Sequence, residues 1–538
     1  MKKRVLLVFI IFIFGVCSLL FDVVNKKGST TSYYLAGDQV LIELFGEDDN
    51  VISLPRGTVL NIKDKTVIID GIEYRQFLLD DDIYYVLEKN LVSERNDCVL
   101  ENKLYTLRNC ALTSDYDSYE IVDYLFENQE VDVTGFHELL EDGTVDYYYV
   151  NNTGYMSGKY LASNYEDASL DASIYNDVGF NYGGDPTKIK YYKKDEVNFV
   201  DNKMPDIVRA LYINANQIWN IDSYIELAKR NSNINAFVVD IKDCYIDTQL
   251  AYYSEVALSY APSISNIPNT YDEYKEGITK LKDAGYYVIG RITTFKDDAF
   301  ANDNIDEALM FDGDYYTYSD VKWPSIYSRK AWEYNVALAL EAVNEMGFNE
   351  IQFDYVRLPE SVTDVDLRNI YDEDRLEAIC NFLNYAKDKL HEAGAYISAD
   401  VFGETSGHNQ DEFSCFVSNY GQFWPAISNI VDAISSMPYP DHFAAYSYDI
   451  AHPWEDVYDL MYSWGKATYL AQENTYYPAK CRTWIQAQDS NRYGIEYTSD
   501  YIIDQIQGLK DADIYDGFMT WNAASSLSKY ESYIDYIN

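Results

Sequence analysis

From residue 206 onward, short apolar runs alternate with amphipathic stretches. Eight runs have the length and the β-branched or aromatic content of buried strands: Val208–Asn214, Ala236–Ile241, Tyr287–Thr293, Glu350–Val356, Tyr396–Val401, Ala433–Pro438, Arg482–Gln488 and Gly517–Trp521. Helical periodicity between them covers Ile221–Arg230, Tyr271–Ala284, Lys330–Met346, Arg375–Ala393 and Tyr501–Lys510. This alternation predicts an α/β fold, a (β/α)8 barrel over residues 206–538, with an open doubly wound sheet as the alternative. No Gly-x-Gly-x-x-Gly follows the first strand, so nucleotide binding is not favoured.

The pattern before residue 206 is different. Strands separated by turn residues are predicted at Val40–Leu44, Val59–Ile62, Thr66–Ile69, Tyr74–Leu78 and Tyr84–Leu87. Short strands at this spacing predict a small β-barrel over residues 36–96. A second copy is expected over residues 97–165, because residues 129–134 match residues 57–62. Residues 166–205 are polar and rich in Asp, Asn and Tyr, and we interpret them as a linker.

The chain begins with a candidate targeting segment. Lys2, Lys3 and Arg4 precede an apolar run over residues 5–21, which is between a signal-peptide core and a minimal membrane span in length. No small-x-small cleavage site follows clearly. We therefore predict an uncleaved anchor over residues 1–27, with a cleaved signal peptide as the alternative. The basic residues favour an N-terminus on the cytoplasmic side of the membrane. The chain after residue 27 is therefore expected outside the cell, either membrane-anchored or secreted.

Composition and net charge limit which classes of partner the protein can bind and which metals or cofactors it needs. The 538 residues include 88 acidic and 42 basic side chains, a net charge of −46, which argues against nucleic-acid binding. The charge also disfavours binding to anionic lipid, and neutral or cationic partners fit better. The five His form no H-E-x-x-H motif and no Cys pair has C-x-x-C spacing, so no metal or cofactor is required. Cys98 and Cys110 could form a disulfide or remain isolated buried thiols.

Polar residues end several of the predicted barrel strands, where the active sites of such barrels lie. Period two places Gln352 and Asp354 on one face of the fourth strand. The candidate substrate-binding residues are Asp240, Asp243, Arg291, Gln352, Arg357, Tyr439, His442, Trp484 and Trp521. Carboxylates, amides, Arg and aromatic faces together are typical of a carbohydrate site.

Two carboxyl groups are needed to hydrolyse a glycosidic bond, one protonated and one ionised. Asp354 and Asp400 end adjacent strands and are the most economical pair, with Arg357 or Arg291 available to keep one of them ionised. Glu404, in the loop after the fifth strand, is the alternative acid. A strand spacing of about 4.8 Å allows the close carboxyl separation of a retaining enzyme but does not establish retention.

Several motifs carry a family resemblance. Similarity to the glycoside hydrolase-like domain of exported bacterial proteins is carried by residues 239–243, 287–292, 295–297, 347–359, 398–403 and 437–442, together with Trp521-Asn522. The resemblance covers residues 206–527 and implies a TIM barrel near the α-amylase-like hydrolases. It also implies that Asp354, ending the fourth strand, is the nucleophile. The acid of that group is a fifth-strand Glu, whereas here the fifth strand offers Asp400 and then Glu404.

The N-terminal region carries a second resemblance. Residues 54–62, 84–92 and 154–161 resemble bacterial SH3-like domains, which implies docking to the cell wall or to a partner, with a passive spacer as the alternative. We therefore expect an exported glycoside hydrolase acting on a cell-envelope or extracellular polysaccharide. A non-catalytic glycan-binding or wall-organising protein is the main rival. A deacetylase would need a metal, and the scarcity of His argues against it.

Overall fold

A computed structural model of the chain describes residues 30–36, 40–43, 51–80, 82–178 and 183–537. The predicted targeting segment lies outside these residues. The chain divides into two compact units. The smaller takes the described part of Met1–Leu104 with Asp132–Asn151 and Ser157–Lys159, and the larger takes Tyr105–Val131, Asn152–Met156 and Tyr160–Asn538. Within the described ranges, no helix has both the length and the apolar character needed to cross a bilayer.

The smaller unit contains an antiparallel seven-stranded sheet. Its strands are Thr30–Leu35, Val40–Glu43, Val51–Leu54, Val59–Ile69, Ile72–Leu79, Asp82–Leu87 and Leu91–Val92. The strands predicted separately at Val59–Ile62 and Thr66–Ile69 form one long strand, Val59–Ile69. Its pairing register with the next strand is irregular between Ile62 and Thr66. The turn after it places Asp70 and Gly71 at positive φ, as a tight hairpin requires. The described part of residues 36–96 is thus mainly β-structure, and its SH3-like character stays a prediction.

Residues 97–165 are also mainly β-structure, and they are divided between the two units. The strands are Lys103–Thr106, Cys110–Thr113, Ile121–Leu125, Glu130–Phe136, Tyr147–Val150, Gly154–Ser157 and Leu161–Ala162. In the larger unit, Cys110–Thr113 pairs with Ile121–Leu125. Cys98 and Cys110 are both buried free thiols, so the second of the two alternatives for these residues holds in this structure.

The larger unit is dominated by one parallel sheet. Its strands are β1 (Val208–Ile213), β2 (Ala236–Cys244), β3 (Tyr287–Thr293), β4 (Glu350–Asp354), β5 (Tyr396–Phe402), β6 (Ala433–Met437), β7 (Lys480–Cys481), β8 (Thr483–Gln486) and β9 (Gly517–Trp521). The helices are α1 (Ile221–Ala228), α2 (Glu255–Tyr260), α3 (Tyr271–Asp283), α4 (Asp298–Asp303), α5 (Arg329–Glu341), α6 (Arg375–Glu392), α7 (Trp424–Ile430), α8 (Val457–Glu473), α9 (Ser499–Asp511) and α10 (Leu527–Glu531).

The order of the strands nearly closes the sheet into a barrel. Neighbouring strands run β7-β6-β5-β4-β3-β2-β1-β9-β8, and a short antiparallel strand, Thr248–Leu250, is added to the end of β2. β8 corresponds to the predicted seventh strand, Arg482–Gln488, and β7 directly precedes that prediction, with only Arg482 between the two strands. Because β1 pairs with both β2 and β9, the strands follow the cyclic order of a TIM-like barrel and not that of an open doubly wound sheet.

Helix ends follow the expected local chemistry. Thr270 and Glu273 form a capping box at the start of α3, and Asp374 and Glu377 form another at α6. α5 continues as a π-helical turn to Met346 and is closed by Gly347 at φ 81°, a conformation that glycine adopts without strain. Gly347 thereby ends the helix three residues before β4 begins at Glu350.

The predicted linker, residues 166–205, contributes to the core of the larger unit. Tyr175 and Tyr191 are buried in the main apolar cluster between the sheet and the helices. Tyr175 donates a hydrogen bond to the carbonyl of Asn474 at 2.8 Å. The segment therefore packs against the barrel it precedes.

Candidate active site

The inward face of the barrel is set by the period of two along each strand. Val208, Ala210 and Tyr212 of β1 lie in the inner cluster, as do Ala236 and Val238 of β2. Continuing the alternation carries Asp240, Arg291, Asp354 and Asp400 inward at the carboxyl ends of their strands. The sequence pattern therefore assembles these charged side chains at one end of the barrel.

A buried ion pair closes the opposite end of the interior. Arg482 Nη2 lies 2.6 Å from Glu350 Oε1, and both side chains are fully buried. Glu350 also accepts hydrogen bonds from the hydroxyls of Tyr287 and Ser398. The pair satisfies charges that would otherwise be costly to bury, and it is remote from solvent. It has a structural role.

Gln352 forms the layer between that ion pair and the mouth. Its side-chain amide donates to Ser435 Oγ at 3.1 Å and approaches Met519 Sδ at 3.4 Å. Gln352 is fully buried. The predicted substrate-binding residue thus lies beneath Asp354, where it supports the floor of the site.

Arg291 is the centre of the charge network at the mouth. Its Nε and Nη2 donate to one oxygen of Asp354 at 3.0 and 2.6 Å. Its Nη1 lies 2.8 Å from Asp240 Oδ1 and 3.3 Å from Asp243 Oδ1. The structure therefore brings four of the predicted residues together around one guanidinium.

Asp354 is held by its own backbone as well. The amide of Tyr355 donates to Asp354 Oδ1 at 2.6 Å, so both carboxylate oxygens have donors. Tyr355 has φ 48°, a left-handed conformation that is unfavourable for a bulky side chain. Such strain concentrates at functional sites, and here it turns the chain sharply after the carboxylate.

Asp400 lies beside Asp354 in a different environment. Gln352 and Ser398 are paired in register, so the residues two positions on, Asp354 and Asp400, share one level of the inner face. Asp400 Oδ1 accepts from Trp484 Nε1 at 2.9 Å, and Oδ2 has no hydrogen-bond partner among the described residues. Burial, and the neighbouring charge of Asp354, raise the pKa of Asp400 well above its usual range. Its surroundings therefore favour the protonated form of the Asp400 carboxyl group.

The two remaining carboxyl groups differ from each other. Burial raises the pKa of Asp240 to about 7. The Tyr212 hydroxyl donates a hydrogen bond to Asp240 Oδ2. For Asp243, burial acts in the same direction, but Arg291 and a hydrogen bond from Thr293 outweigh it and lower the pKa. At neutral pH Asp243 is ionised, while Asp240 is divided between its two forms.

Aromatic rings form one wall of the mouth. The ring of Trp521 lies 4.8 Å from that of Tyr212 and stacks on Tyr439 at 6.2 Å. Trp484 meets Trp521 edge to face at 5.7 Å. His442 touches the edge of Tyr439 at 5.2 Å, and 65% of its side chain is exposed. Four predicted residues thus form a continuous series of ring contacts, and His442, at its end, is the most exposed of them.

Arg357 and Glu404 are placed differently from the charge network. The Arg357 guanidinium lies 4.3 Å from the ring of Phe402 and donates to the Leu358 carbonyl at 3.0 Å. Among the described residues no carboxylate is within ion-pair distance of it, so Arg291 is the partner of Asp354. Glu404 is exposed in the helical turn Gly403–Ser406, and its carboxylate makes no ion pair with a described residue.

Two residues of the mouth were not predicted. Tyr212, which caps Asp240, lies on the inward face of β1, and its alternation with Val208 and Ala210 is the signal that identifies it. Lys296 lies near the Asp354 carboxylate, with Nζ 4.9 Å from the centre of the Tyr355 ring. A lysine just beyond the end of a strand has no periodicity that distinguishes it from a surface residue.

No group of barrel-mouth residues is arranged to share a metal ion within the described part of the chain. The carboxylates there are held by Arg291 instead. The one group of suitable spacing among the described residues is His137, Glu138 and Asp146 in the smaller unit. Exposed groups of this kind are common without an ion, and nothing connects this one with the barrel.

Comparison with known proteins defines the class. The family described as "Putative glycosyl hydrolase domain" matches residues 210–527, which is more than half of the chain. The protein belongs to this family. A comparison with curated proteins gives no match.

Solved structures resemble parts of the chain. A hypothetical protein from Ruminiclostridium thermocellum ATCC 27405 is 31% identical, covering 36% of this chain and 97% of its own, with a TM-score of 0.31. The glycoside hydrolase domain of PgaB (BpsB) from Bordetella bronchiseptica is 13% identical, covering 60% and 97%, with a TM-score of 0.44. The spore cortex-lytic enzyme SleL of Bacillus megaterium QM B1551 is 10% identical, covering 61% and 75%, with a TM-score of 0.36. Because these TM-scores are low, the family assignment rests on residues 210–527.

Proposed function

We propose that the larger unit hydrolyses glycosidic bonds with Asp354 as the ionised carboxylate and Asp400 as the general acid. One observation carries the proposal. Two carboxyl groups at the same level of the barrel have opposite environments, since Asp354 receives two hydrogen bonds from a guanidinium and Asp400 has one unpartnered, buried oxygen. Glycoside hydrolysis requires two neighbouring carboxyl groups with different pKa values, so that one is protonated while the other is ionised.

The reaction that we propose is a retaining one. Adjacent strands are about 4.8 Å apart, which fits the roughly 5–5.5 Å separation of a retaining pair. Asp354 attacks the anomeric carbon while the bond to the leaving oxygen breaks, and Asp400 gives its proton to that oxygen. Water then attacks the glycosyl ester, Asp400 takes a proton from the water, and Asp354 is released as a carboxylate. Trp484 keeps Asp400 oriented through both steps.

The proposed substrate is a polysaccharide of the cell envelope or the extracellular space. The aromatic wall supplies faces for the CH surfaces of sugars, and the carboxyl and amide groups suit their hydroxyls. The proposal includes export, with residues 1–27 as an anchor or signal, and wall contact through the SH3-like regions. The apolar run at residues 5–21 and its preceding basic residues support export.

A second candidate is glycan binding without hydrolysis. Asp354 and Asp400 are only 4% and 1% exposed, so a sugar must displace part of the mouth to reach them. The exposed His442 and the aromatic wall could bind a chain end without that displacement. On this candidate the charge network would organise the wall and take no part in chemistry.

The test is the release of reducing ends from a panel of envelope and extracellular polysaccharides by the full chain. Asp354→Asn and Asp400→Asn are compared with Asp222→Asn, which changes an exposed residue of α1 paired with Lys280. Release by the wild type and the control, lost in both mouth variants, would establish hydrolysis and its substrate class. No release from any polysaccharide, together with retained binding, would favour the second candidate.

A further inference from the structure

Two cationic side chains at the barrel mouth have no anionic partner among the described residues. Arg357 and Lys296 are 7% and 9% exposed, yet neither lies within 4 Å of a described carboxylate. The nearest hydrogen-bond acceptor of Arg357 is the carbonyl of Leu358. For Lys296 no hydrogen bond is formed with the described part of the chain. Both charges are therefore largely removed from water without the ion pair that usually accompanies burial.

The rest of the barrel shows that this arrangement is unusual for the chain. Arg482 pairs with Glu350, Lys242 with Asp297 at 2.6 Å, and Arg291 with three carboxylates. The sequence has 88 acidic side chains for 42 basic ones, so carboxylates are in excess. Two unpaired cations in such a chain, close to the reacting groups, require an explanation beyond stability.

The two cations lie together. The Arg357 guanidinium is 4.7 Å from the centre of the Tyr355 ring, and the Lys296 ammonium is 4.9 Å from the same ring. Tyr355 directly follows Asp354 in the chain and has a left-handed backbone, so the ring that both cations contact belongs to the residue next to the carboxylate. Lys296 and Arg357 each interact electrostatically with Asp354 and with each other. They form one positive patch beside Asp354.

The unpartnered N–H groups of Arg357 and Lys296 are not completely enclosed by the described residues. Buried nitrogens without a partner occur elsewhere in the described chain, for example on Arg329 and Arg482, but not on Arg357 or Lys296. Their unpaired donors therefore keep some access to solvent. Arg presents a planar fork that matches a carboxylate or phosphate, and Lys adds a compact point charge. Together they are a suitable receptor for one anionic group.

We propose that Arg357 and Lys296 bind an anionic substituent, a carboxylate or a phosphate, on the sugar next to the scissile bond. This inference rests on the proposed function and names its substrate class: an acidic polysaccharide whose charges are spaced along the chain. The net charge of −46 repels a densely charged polyanion, and the local patch offsets that repulsion only for a group seated in the mouth. Glu360, which interacts with Arg357, is exposed and hydrogen-bonded to Tyr318, so it leaves the patch open.

The experiment measures binding separately from cleavage. Full-length Asp400→Asn, which cannot supply the acid, is titrated with pairs of oligosaccharides that differ in one group. One pair is an oligogalacturonate and its carboxyl-reduced counterpart, and the other is a phosphorylated mannan oligosaccharide and its dephosphorylated form. The variants Arg357→Gln, Arg357→Lys and Lys296→Met are made in this background. Lys480→Met, at the amino end of β7, removes the same charge at the other end of the barrel.

We expect about ten-fold tighter binding of the acidic member of one pair, the size of a charge-assisted hydrogen bond. The pair that shows it distinguishes carboxylate from phosphate. Arg357→Gln and Lys296→Met should bring the acidic-to-neutral ratio to within about two-fold, Arg357→Lys should keep part of it, and Lys480→Met should leave it unchanged. Arg357→Lys also serves where Arg357→Gln fails to fold.

Equal binding of both members by the parent, or a preference that survives Arg357→Gln and Lys296→Met, would overturn the inference. So would a change in the pH profile of hydrolysis without a change in the ratio, since the patch would then only compensate the charge of Asp354. The two proposals fail separately. Cleavage of neutral polysaccharides alone would support the proposed hydrolysis and contradict the acidic substrate. A preference for acidic oligosaccharides without any cleavage would contradict hydrolysis and support the patch as a glycan-binding site.

Discussion

Arg291 donates two hydrogen bonds to a single oxygen of Asp354, through Nε at 3.0 Å and Nη2 at 2.6 Å. Its third nitrogen, Nη1, is shared between Asp240 and Asp243. One side chain of β3 thus fixes the carboxylate at the end of β4 and the two carboxyl groups at the end of β2. The consequence is a cluster of three carboxyl groups hydrogen-bonded to Arg291, whereas Asp400 receives its side-chain hydrogen bond from Trp484.

The first prediction concerns this clamp. Arg291→Gln leaves the buried Asp354 charge without its partner, and removal of one member of such a pair costs about 3–5 kcal/mol. We expect the free energy of unfolding of the larger unit to fall by that order, as measured by urea denaturation with near-ultraviolet circular dichroism. Combining Arg291→Gln with Asp354→Asn should restore much of the loss. A double variant as unstable as the sum of the single variants would show that the two residues do not interact.

The second prediction concerns the pH dependence of stability through Asp240. Its folded-state pKa is raised to about 7 from an ordinary value of 3.8, so the folded state holds the proton more strongly. The stabilisation is complete below pH 4 and is lost as pH rises towards 7. Relative to Asp240→Asn, the wild type should lose a few kcal/mol of unfolding free energy over this interval, about 1.4 per pKa unit at most. Asp222→Asn is the control, and parallel curves for the wild type and Asp240→Asn would contradict the assignment.

The sequence pattern predicted the barrel strands because most of them are largely apolar runs that the fold buries on both faces. It was less able to choose between Arg291 and Arg357 as the partner of Asp354. Arg291 lies within β3 and follows the inward alternation of Tyr287 and Ile289. Arg357 lies beyond the end of β4, after the left-handed Tyr355, where the period of two no longer fixes which way a side chain points. Strand periodicity predicts a site residue only as far as the strand continues.

Loop residues show the same limit. Glu404 is separated from Asp400 by the end of β5 and a helical turn, and its exposed position follows from that turn, which the local sequence did not indicate. The linker prediction for residues 166–205 rested on polarity, yet Tyr175 and Tyr191 within it are buried. Isolated aromatic residues in a polar segment carry no periodicity, although they can anchor the whole segment to a core.

The third prediction concerns the acid. Because the pKa of Asp400 is raised by burial and by Asp354, the carboxyl group stays protonated above the usual range for Asp. On the proposed function, activity should persist to that higher pH and then fall along an alkaline limb as Asp400 ionises. Asp400→Asn should lower kcat by roughly 10²–10⁴ and abolish this limb. An alkaline limb that persists in Asp400→Asn but disappears in Glu404→Gln would transfer the acid role to Glu404.

The last prediction separates positioning from structure at Trp484. Its indole N–H is the only hydrogen-bond donor to the Asp400 carboxyl group among the described residues, and this bond favours the ionised form. Trp484→Phe keeps an aromatic ring against Tyr212 and Trp521 but removes the donor. The pKa of Asp400 should therefore rise further, and the alkaline limb of the rate profile should move to higher pH. Loss of one donor to a buried carboxyl group costs about 1–3 kcal/mol, so kcat should fall by roughly 10- to 100-fold with KM little changed.

The pH dependence of kcat and KM measures this, with Trp521→Phe as the control because Trp521 gives Asp400 no hydrogen bond in the described structure. A fall in kcat with an unmoved alkaline limb would mean that Trp484 acts through packing alone.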